Sequence, residues 1–357
     1  MAKDSAKKIL ITGATGYVGG RLVRSFLAKK YQVRVFVRDR NKAAQHSWSN
    51  EVDVCVGDVN DFEATRAALD GIDVAYYLLH SINGTMKFDD IEREMANTFG
   101  RAAREAGVSQ IIYLGGIAND SKSSQHLQSR ADTGRALASY GVPVLELRAG
   151  IIIGSGSASF EMLRHLTHRL PIMTTPKWVK NRTQPIAIRD VLYYLSAAAD
   201  FSKPVNGIYD IGGPEVLTYE GMMQTFANVS SLRKRIIVKI PVLTPSLSSL
   251  WIGFVTPVPT TLARPLVESL ISEVVVDPAK DVTKIIPIPE GGLTPVRTAI
   301  ELALERVGKN EIETRWSDAT APTFPWQRAQ GDPQWAGATE FLDVRVRTTD
   351  AKLEDVW

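Results

Sequence analysis

Lys8-Ile-Leu-Ile-Thr-Gly-Ala-Thr-Gly-Tyr-Val-Gly-Gly-Arg-Leu22 is the stretch that decides how this chain is read. An apolar run, Ile9 to Ile11, meets glycines at 13, 16 and 19 and then an amphipathic segment, the pattern of a strand that turns sharply into a helix. Such a turn lets backbone approach a phosphate closely, and the helix start offers N–H groups and the positive dipole end to an anion. Gly13, Thr15, Gly16, Tyr17, Val18 and Gly19 are therefore the candidate phosphate cradle.

Strands and helices continue to alternate downstream. Val33, Val35 and Val37 form a second strand that runs into Arg38-Asp-Arg-Asn-Lys42. In a dinucleotide fold an acid at this strand end holds the ribose 2′-hydroxyl and an arginine accepts a 2′-phosphate. Arg38, reinforced by Arg40 and Lys42, favours NADP(H) over NAD(H), while Asp39 keeps the second option open. Val52–Val56 is a third strand followed by Asp58 and Val59 at the ligand-binding edge, with Asn60 or Asp61 the better placed helix cap. Ile72–Leu79 is a fourth, whose end, Leu79-His80-Ser81, faces the expected nicotinamide side; Tyr76 and Tyr77 within it read as core. A helix from Phe88 stops at Gly107. A fifth strand, Gln110–Leu114, holds Tyr113 inside the sheet and ends in Gly115-Gly116. A helix from about Leu127 to Tyr140 leads to a sixth strand, Val142–Leu147, closed by Arg148, which has Glu146 or another acid as its natural partner. Six alternations with short links imply an α/β fold with a doubly wound parallel sheet.

Beyond Arg148 the regularity breaks. A glycine-rich turn, Gly150 to Ser157, is followed by a helix from Phe160 to Arg169, by Gln184-Pro-Ile-Ala-Ile-Arg-Asp-Val191, and by a strand at Gly207–Ile211. The expected organisation is a dinucleotide-binding core over 1–155 and a small C-terminal substrate lobe over 156–310 that returns elements to the core at about 185–213. Residues 311–357 read as a linker and the start of a second module that the chain cuts short, because Phe341–Arg347 alternates like a strand and Thr349–Trp357 begins a helix.

Composition narrows the function classes. With 42 basic and 39 acidic residues mixed throughout, a net charge of +3 gives no concentrated footprint for nucleic acid. The single cysteine, Cys55, cannot form an internal disulfide and suits a reducing cytoplasm, with core packing as its role. Ile240 to Ala263 carries no charged residue, but prolines at 241, 245, 257 and 259 interrupt it, so it reads as a buried or substrate-facing flap rather than a membrane span, with peripheral membrane contact as the minor alternative. His46, His165 and His168 lack ligand-spaced partners, and no metal site is expected.

The segments ITGATGYVGGRL, VRVFVRDRNKA, GDVND, DVAYYLLHS, IIYLGG, LRAGIIIGSG and QPIAIRDV together resemble the atypical short-chain dehydrogenase/reductase superfamily, its NmrA-like and extended branches especially, over about residues 7–307. The resemblance implies a Rossmann sheet and a nicotinamide cofactor. It is nearest to bacterial NAD(P)H-binding proteins that carry a C-terminal DUF2867 module of START-like outline, which FLDVRVRTTDAKLEDVW would open as a covalent partner domain. That superfamily places a Ser or Thr after the fifth strand and then Tyr-x-x-x-Lys, where the tyrosinate handles the substrate proton. Here the matching positions are Gly115-Gly116 and His126-Leu-Gln-Ser-Arg130, so the resemblance leaves His126 as proton donor and Arg130 as holder of the ribose. Two functions follow: an NADP(H)-dependent oxidoreductase acting on a mostly apolar carbonyl or enone small molecule, or a non-catalytic NADP(H) sensor. A third, weaker one makes the first domain a scaffold for a lipid-like ligand held by the second module.

Overall fold

The computed structural model describes residues 7–79, 86–118, 125–175, 177–239, 267–268, 271–308 and 314. His80 and Ser81, the charge-free segment from Ile240 to Ala263 and the elements expected between Trp316 and Trp357 lie outside the described residues.

The alternation read from the sequence builds β1 (Lys8–Thr12), α1 (Tyr17–Ala28), β2 (Gln32–Val37), α2 (Arg40–Ala44), β3 (Asp53–Val56), α3 (Phe62–Leu69), β4 (Val74–Tyr77), α4 (Met86–Glu105), β5 (Gln110–Gly116), α5 (Gln125–Ala138) and β6 (Val144–Ala149). After a short β7 (Ile152–Ile153), α6 (Ala158–Arg169), β8 (Ile172–Thr175), β9 (Arg182–Thr183) and β10 (Ile186–Ala187), the chain forms α7 (Ile188–Ala198) and β11 (Gly207–Ile211). It closes with β12 (Leu217–Thr218), α8 (Tyr219–Val229), β13 (Ile236–Lys239) and α9 (Val296–Gly308).

Seven strands form one parallel sheet in the order β11-β6-β5-β4-β1-β2-β3. The order reverses between β1 and β4, which creates the crevice that open α/β sheets use for ligands. Both faces are covered because residues alternate across each strand. Ile9 and Ile11 pack with Leu22, Phe26, Val191 and Leu195 from α1 and α7, while Leu10 faces Phe99, Ala103 and Leu137 from α4 and α5. A separate apolar cluster joins α6, α8 and α9 through Phe160, Met222, Phe226 and Ile300.

Several elements differ from their sequence expectation. β4 covers only Val74–Tyr77, and β6 runs on to Ala149. The glycine pair is not a loop after β5 but its last two residues, because Gly115 and Gly116 stay in register with Arg148 and Ala149. Asp61 is the cap of α3, accepting from the Ala64 amide, and Asp58 instead closes its own turn on the Asn60 amide at 2.9 Å. Tyr76 and Tyr77 are buried as expected; the Tyr76 hydroxyl donates to the Leu195 carbonyl at 2.6 Å. Cys55 is half-buried on the edge strand and packs against the α3 side of the sheet.

His46 shows how tightly α1 is covered. Its ring stacks on buried Trp48 at a centroid distance of 4.8 Å, and burial, with Arg24 nearby, pushes its pKa down to about 4. In the unfolded chain the imidazole takes its proton near 6.5, so between those values the unfolded state binds more protons and stability falls as pH drops. Chemical denaturation at pH 7 and pH 4.5 is expected to show a loss of up to about 3 kcal/mol from this group. His46→Phe is expected to flatten that loss, and an unchanged slope would contradict it.

Candidate functional site

The glycine turn is held by contacts that leave no room for side chains. Gly13 adopts φ +67°, in the left-handed region, and a Cβ there would lie 2.6 Å from the Leu78 carbonyl oxygen just past β4. A Cβ on Gly19 would lie 2.2 Å from the Gly13 oxygen, so α1 rests directly on the turn. Thr12, which the sequence reading passed over, fixes this junction: its hydroxyl donates to the Tyr76 carbonyl at 3.0 Å and accepts from the Leu78 amide at 3.1 Å. Its signal was only a polar residue ending an apolar strand.

Gly16 caps α1 without a side chain, and the first turn of that helix contains no acid. The contrast with α2 and α3, capped by Asp39 and Asp61, is physical: those carboxylates take first-turn amides, while α1 keeps its own for another acceptor. Thr15, Gly16, Tyr17 and Val18 are all half-buried along this turn. The residues present thus fit a pyrophosphate, with a bare backbone cradle where a Cβ would intrude.

Tyr17 also ties the turn to the later chain. Its ring lies 4.4 Å from the Arg21 guanidinium carbon, a Cβ on Gly154 would be 2.4 Å from its hydroxyl, and its carbonyl accepts from the Thr314 hydroxyl at 2.7 Å. Arg21 donates to the Ser155 carbonyl at 3.0 Å. The glycine-rich turn after β6 therefore packs against the helix that starts at the cradle.

At the end of β2, Arg38 is exposed, whereas Asp39 spends its carboxylate on the Asn41 amide at 2.8 Å. Arg40 is turned away to the Val54 carbonyl at 3.2 Å. The Arg38 side chain has no hydrogen-bond partner among the described residues. Asp58 and buried Val59 follow β3, the Val59 carbonyl accepting from Thr65, and half-buried Leu79 follows β4. His80 lies outside the described residues.

His126 and Arg130 stand one turn apart on α5 and so share a face. Arg130 crosses the end of β5: its guanidinium donates to the Leu114 carbonyl, and a Cβ on Gly116 would be 3.3 Å from its Cδ. The Tyr113 hydroxyl donates to the Arg130 carbonyl at 3.0 Å, and burial holds that phenol up at about 12, so it stays protonated.

The expected partner of Arg148 is Glu146, and their contact is buried. Nε donates to Oε1 at 2.7 Å, with the two side chains 8% and 5% exposed. Desolvation raises the Glu146 pKa against the opposing pull of Arg148 and Arg130. The carboxylate occupies space that two glycines vacate: a Cβ on Gly115 would be 2.8 Å from Oε1, and one on Gly134 only 2.3 Å from Oε2. A hydroxyl-bearing side chain at 115 has no room beside Glu146. This is the tertiary reason for Gly115, which neighbouring sequence does not reveal.

His165 does have a carboxylate at helical spacing, contrary to the sequence reading. Glu161 lies 3.5 Å away, but Arg164 holds it at 2.6 Å. Among the described residues no group of three or more His, Cys, Asp or Glu is arranged to hold a metal.

Residues 13–141 match the family described as NAD(P)H-binding. The chain is 26% identical over 243 residues to a ceramide reductase of Caulobacter vibrioides, covering 66% of this chain and 75% of that one. The fold matches triphenylmethane reductase of Citrobacter sp. complexed with NADP(H), with a TM-score of 0.64 at 21% identity over 83% of this chain and 99% of that one. It also matches the NADPH-dependent quinone oxidoreductase QOR2 of Escherichia coli, TM-score 0.64 at 20% identity, over 82% and 98% of the two chains. A nicotinamide dinucleotide is the cofactor this family match supports.

Gly134 tests the packing around Glu146. Helix propensity alone makes Gly134→Ala stabilising by about 1 kcal/mol, but the clash is expected to make it destabilising by about 1–3 kcal/mol in urea denaturation. Combined with Glu146→Ala, the penalty should largely vanish, and additive effects would show that the carboxylate is not the obstacle.

Proposed function

We propose that this chain is an NADP(H)-dependent oxidoreductase that delivers hydride to a mostly apolar carbonyl or enone. The observation that carries it is the bare cradle at Gly13–Gly19 together with the exposed Arg38 beside an engaged Asp39. A 2′-phosphate suits that arginine, and a ribose 2′-hydroxyl would find the nearby acid already committed to its helix. The apolar acceptor is supported by a relative named ceramide reductase and a structural neighbour named quinone oxidoreductase. A reducing cytoplasm fits the lone Cys55.

The bound nicotinamide supplies the hydride chemistry. The chain's own part is to bind and to handle charge. The cradle holds the pyrophosphate, Arg38 the 2′-phosphate, and Asp58, Val59 and Leu79 line the cofactor path. His126 donates the proton to the substrate oxygen, and Arg130 holds the ribose from the same helix face. A second reading, a non-catalytic NADP(H) sensor, draws support from Glu146, which fills the space beside Gly115 where a catalytic hydroxyl would stand.

Fluorescence titration is expected to give tighter binding of NADPH than of NADH, with Arg38→Ala weakening NADPH about tenfold and leaving NADH nearly unchanged. Equal affinities in the parent protein would remove the NADP(H) assignment. With a panel of apolar carbonyls and enones, His126→Ala is expected to lower kcat by about a hundredfold or more while NADPH affinity holds. NADPH binding without turnover on any acceptor would favour the sensor.

A further inference from the structure

The substrate-side cluster carries a surface that nothing above uses. β8 and β13 form a separate two-stranded parallel ribbon, paired Ile236 to Ile172, Ile237 to Met173 and Val238 to Thr174. Paired residues share a face, and alternate residues along a strand return to it. Met173 and Ile237 turn inward onto the α6–α8–α9 cluster. Ile172, Ile236 and Val238 turn outward and are 60%, 57% and 48% exposed, among the most exposed large aliphatic side chains described.

The two strands and their flanks carry charge of one sign. Residues 169–180 and 230–239, the two strands with their flanks, contain seven Lys or Arg and no Asp or Glu. Because the strands run parallel and in register, Arg169, Arg233 and Lys234 gather at their common N-terminal end, while Lys239 and the Lys177–Lys180 turn follow at the other. Arg169, Lys180, Arg233 and Lys234 are exposed. Arg235, by contrast, is buried and donates to the Thr167 carbonyl at 2.8 Å, while Gln224 bonds both its amide and its carbonyl, which anchors β13 onto α6 and α8. The ribbon is thus firmly mounted on the lobe with its apolar face outward and cations bracketing it.

From this arrangement we infer that the outer face of the β8–β13 ribbon docks on an anionic lipid bilayer. Aliphatic side chains enter the interfacial region and the flanking cations pair with lipid phosphates, the two terms that drive peripheral binding. No described helix is long and apolar enough to cross a membrane, so the contact is superficial. A protein partner would need acids matched to the exposed Arg169, Lys180, Arg233 and Lys234 around a strip only four residues long, a geometry less readily met than a continuous anionic plane.

Co-sedimentation of the full chain with vesicles tests the inference. The protein is expected to bind phosphatidylglycerol/phosphatidylcholine vesicles, not phosphatidylcholine alone, and to release as salt rises. Arg233→Gln with Lys234→Gln should weaken binding by more than tenfold, and Ile236→Ser with Val238→Ser by a similar factor. NADPH titration and thermal melting of the same variants verify that they remain folded. Lack of binding to anionic vesicles, equal binding to neutral ones, or parent-like binding by both folded variants would overturn it. So would a light-scattering dimer abolished by the Ile236→Ser/Val238→Ser pair, which would assign the ribbon to a second copy.

Discussion

The structure depends on how closely α1 can approach the turn that precedes it. With the Gly13 carbonyl only 2.2 Å from where a Gly19 Cβ would be, any side chain at 19 would push the helix off β1. Moving α1 would also disturb the contacts it makes with α7 and the packing of Leu22 and Phe26 on Ile9 and Ile11. The same closeness leaves the first-turn amides of α1 aimed at the crevice between β1 and β4. One backbone constraint therefore serves both the core and the cofactor edge.

At the opposite side of the crevice a second exchange of space has taken place. Glu146 lies on the α4–α5 side of β6, alongside Tyr113 on β5, and its carboxylate reaches between Gly115 and Gly134. Burial disfavours its charge, and Arg148 and Arg130 offset part of that cost. Asp210, the strand neighbour of Arg148 on β11, is likewise pushed up by burial and accepts from the Asp277 amide at 3.0 Å. Among the described residues, the ends of β5 and β6 thus carry the buried Arg148–Glu146 pair.

The irregular second half is tied on by amides that both donate and accept. Gln110 bonds the carbonyl and amide of Val205 at 2.6 and 2.8 Å, fixing the approach to β11. Gln184 donates to the Gly213 carbonyl and accepts from the Val276 amide, and Gln224 does the same for both backbone groups of Arg235. Asp190, buried at the start of α7, accepts from the amide and hydroxyl of Thr294 and so locates the entry to α9. Each replaces a strand ladder with one side chain, which is how segments without regular pairing satisfy their buried backbone.

Local pattern alone determined strands β1 to β6 and the helices between them except α2, and it singled out the glycine turn, because alternation and glycine placement act over a few residues. Strand limits at β4 and β6 and the inclusion of Gly115-Gly116 in β5 depended on pairing with neighbours distant in sequence, which pattern does not encode. Asp39 reads from the sequence as a rival to Arg38, and only the fold shows its carboxylate accepting from the Asn41 amide. The space above Gly134 is filled by Glu146 from another strand, which the local sequence of α5 does not encode. The outward face of the β8–β13 ribbon needed the same information, since only the assembled lobe shows that Met173 and Ile237 face inward while Ile172 and Ile236 do not. Short-range chemistry sets which elements form; the volume left between them decides which side chains meet.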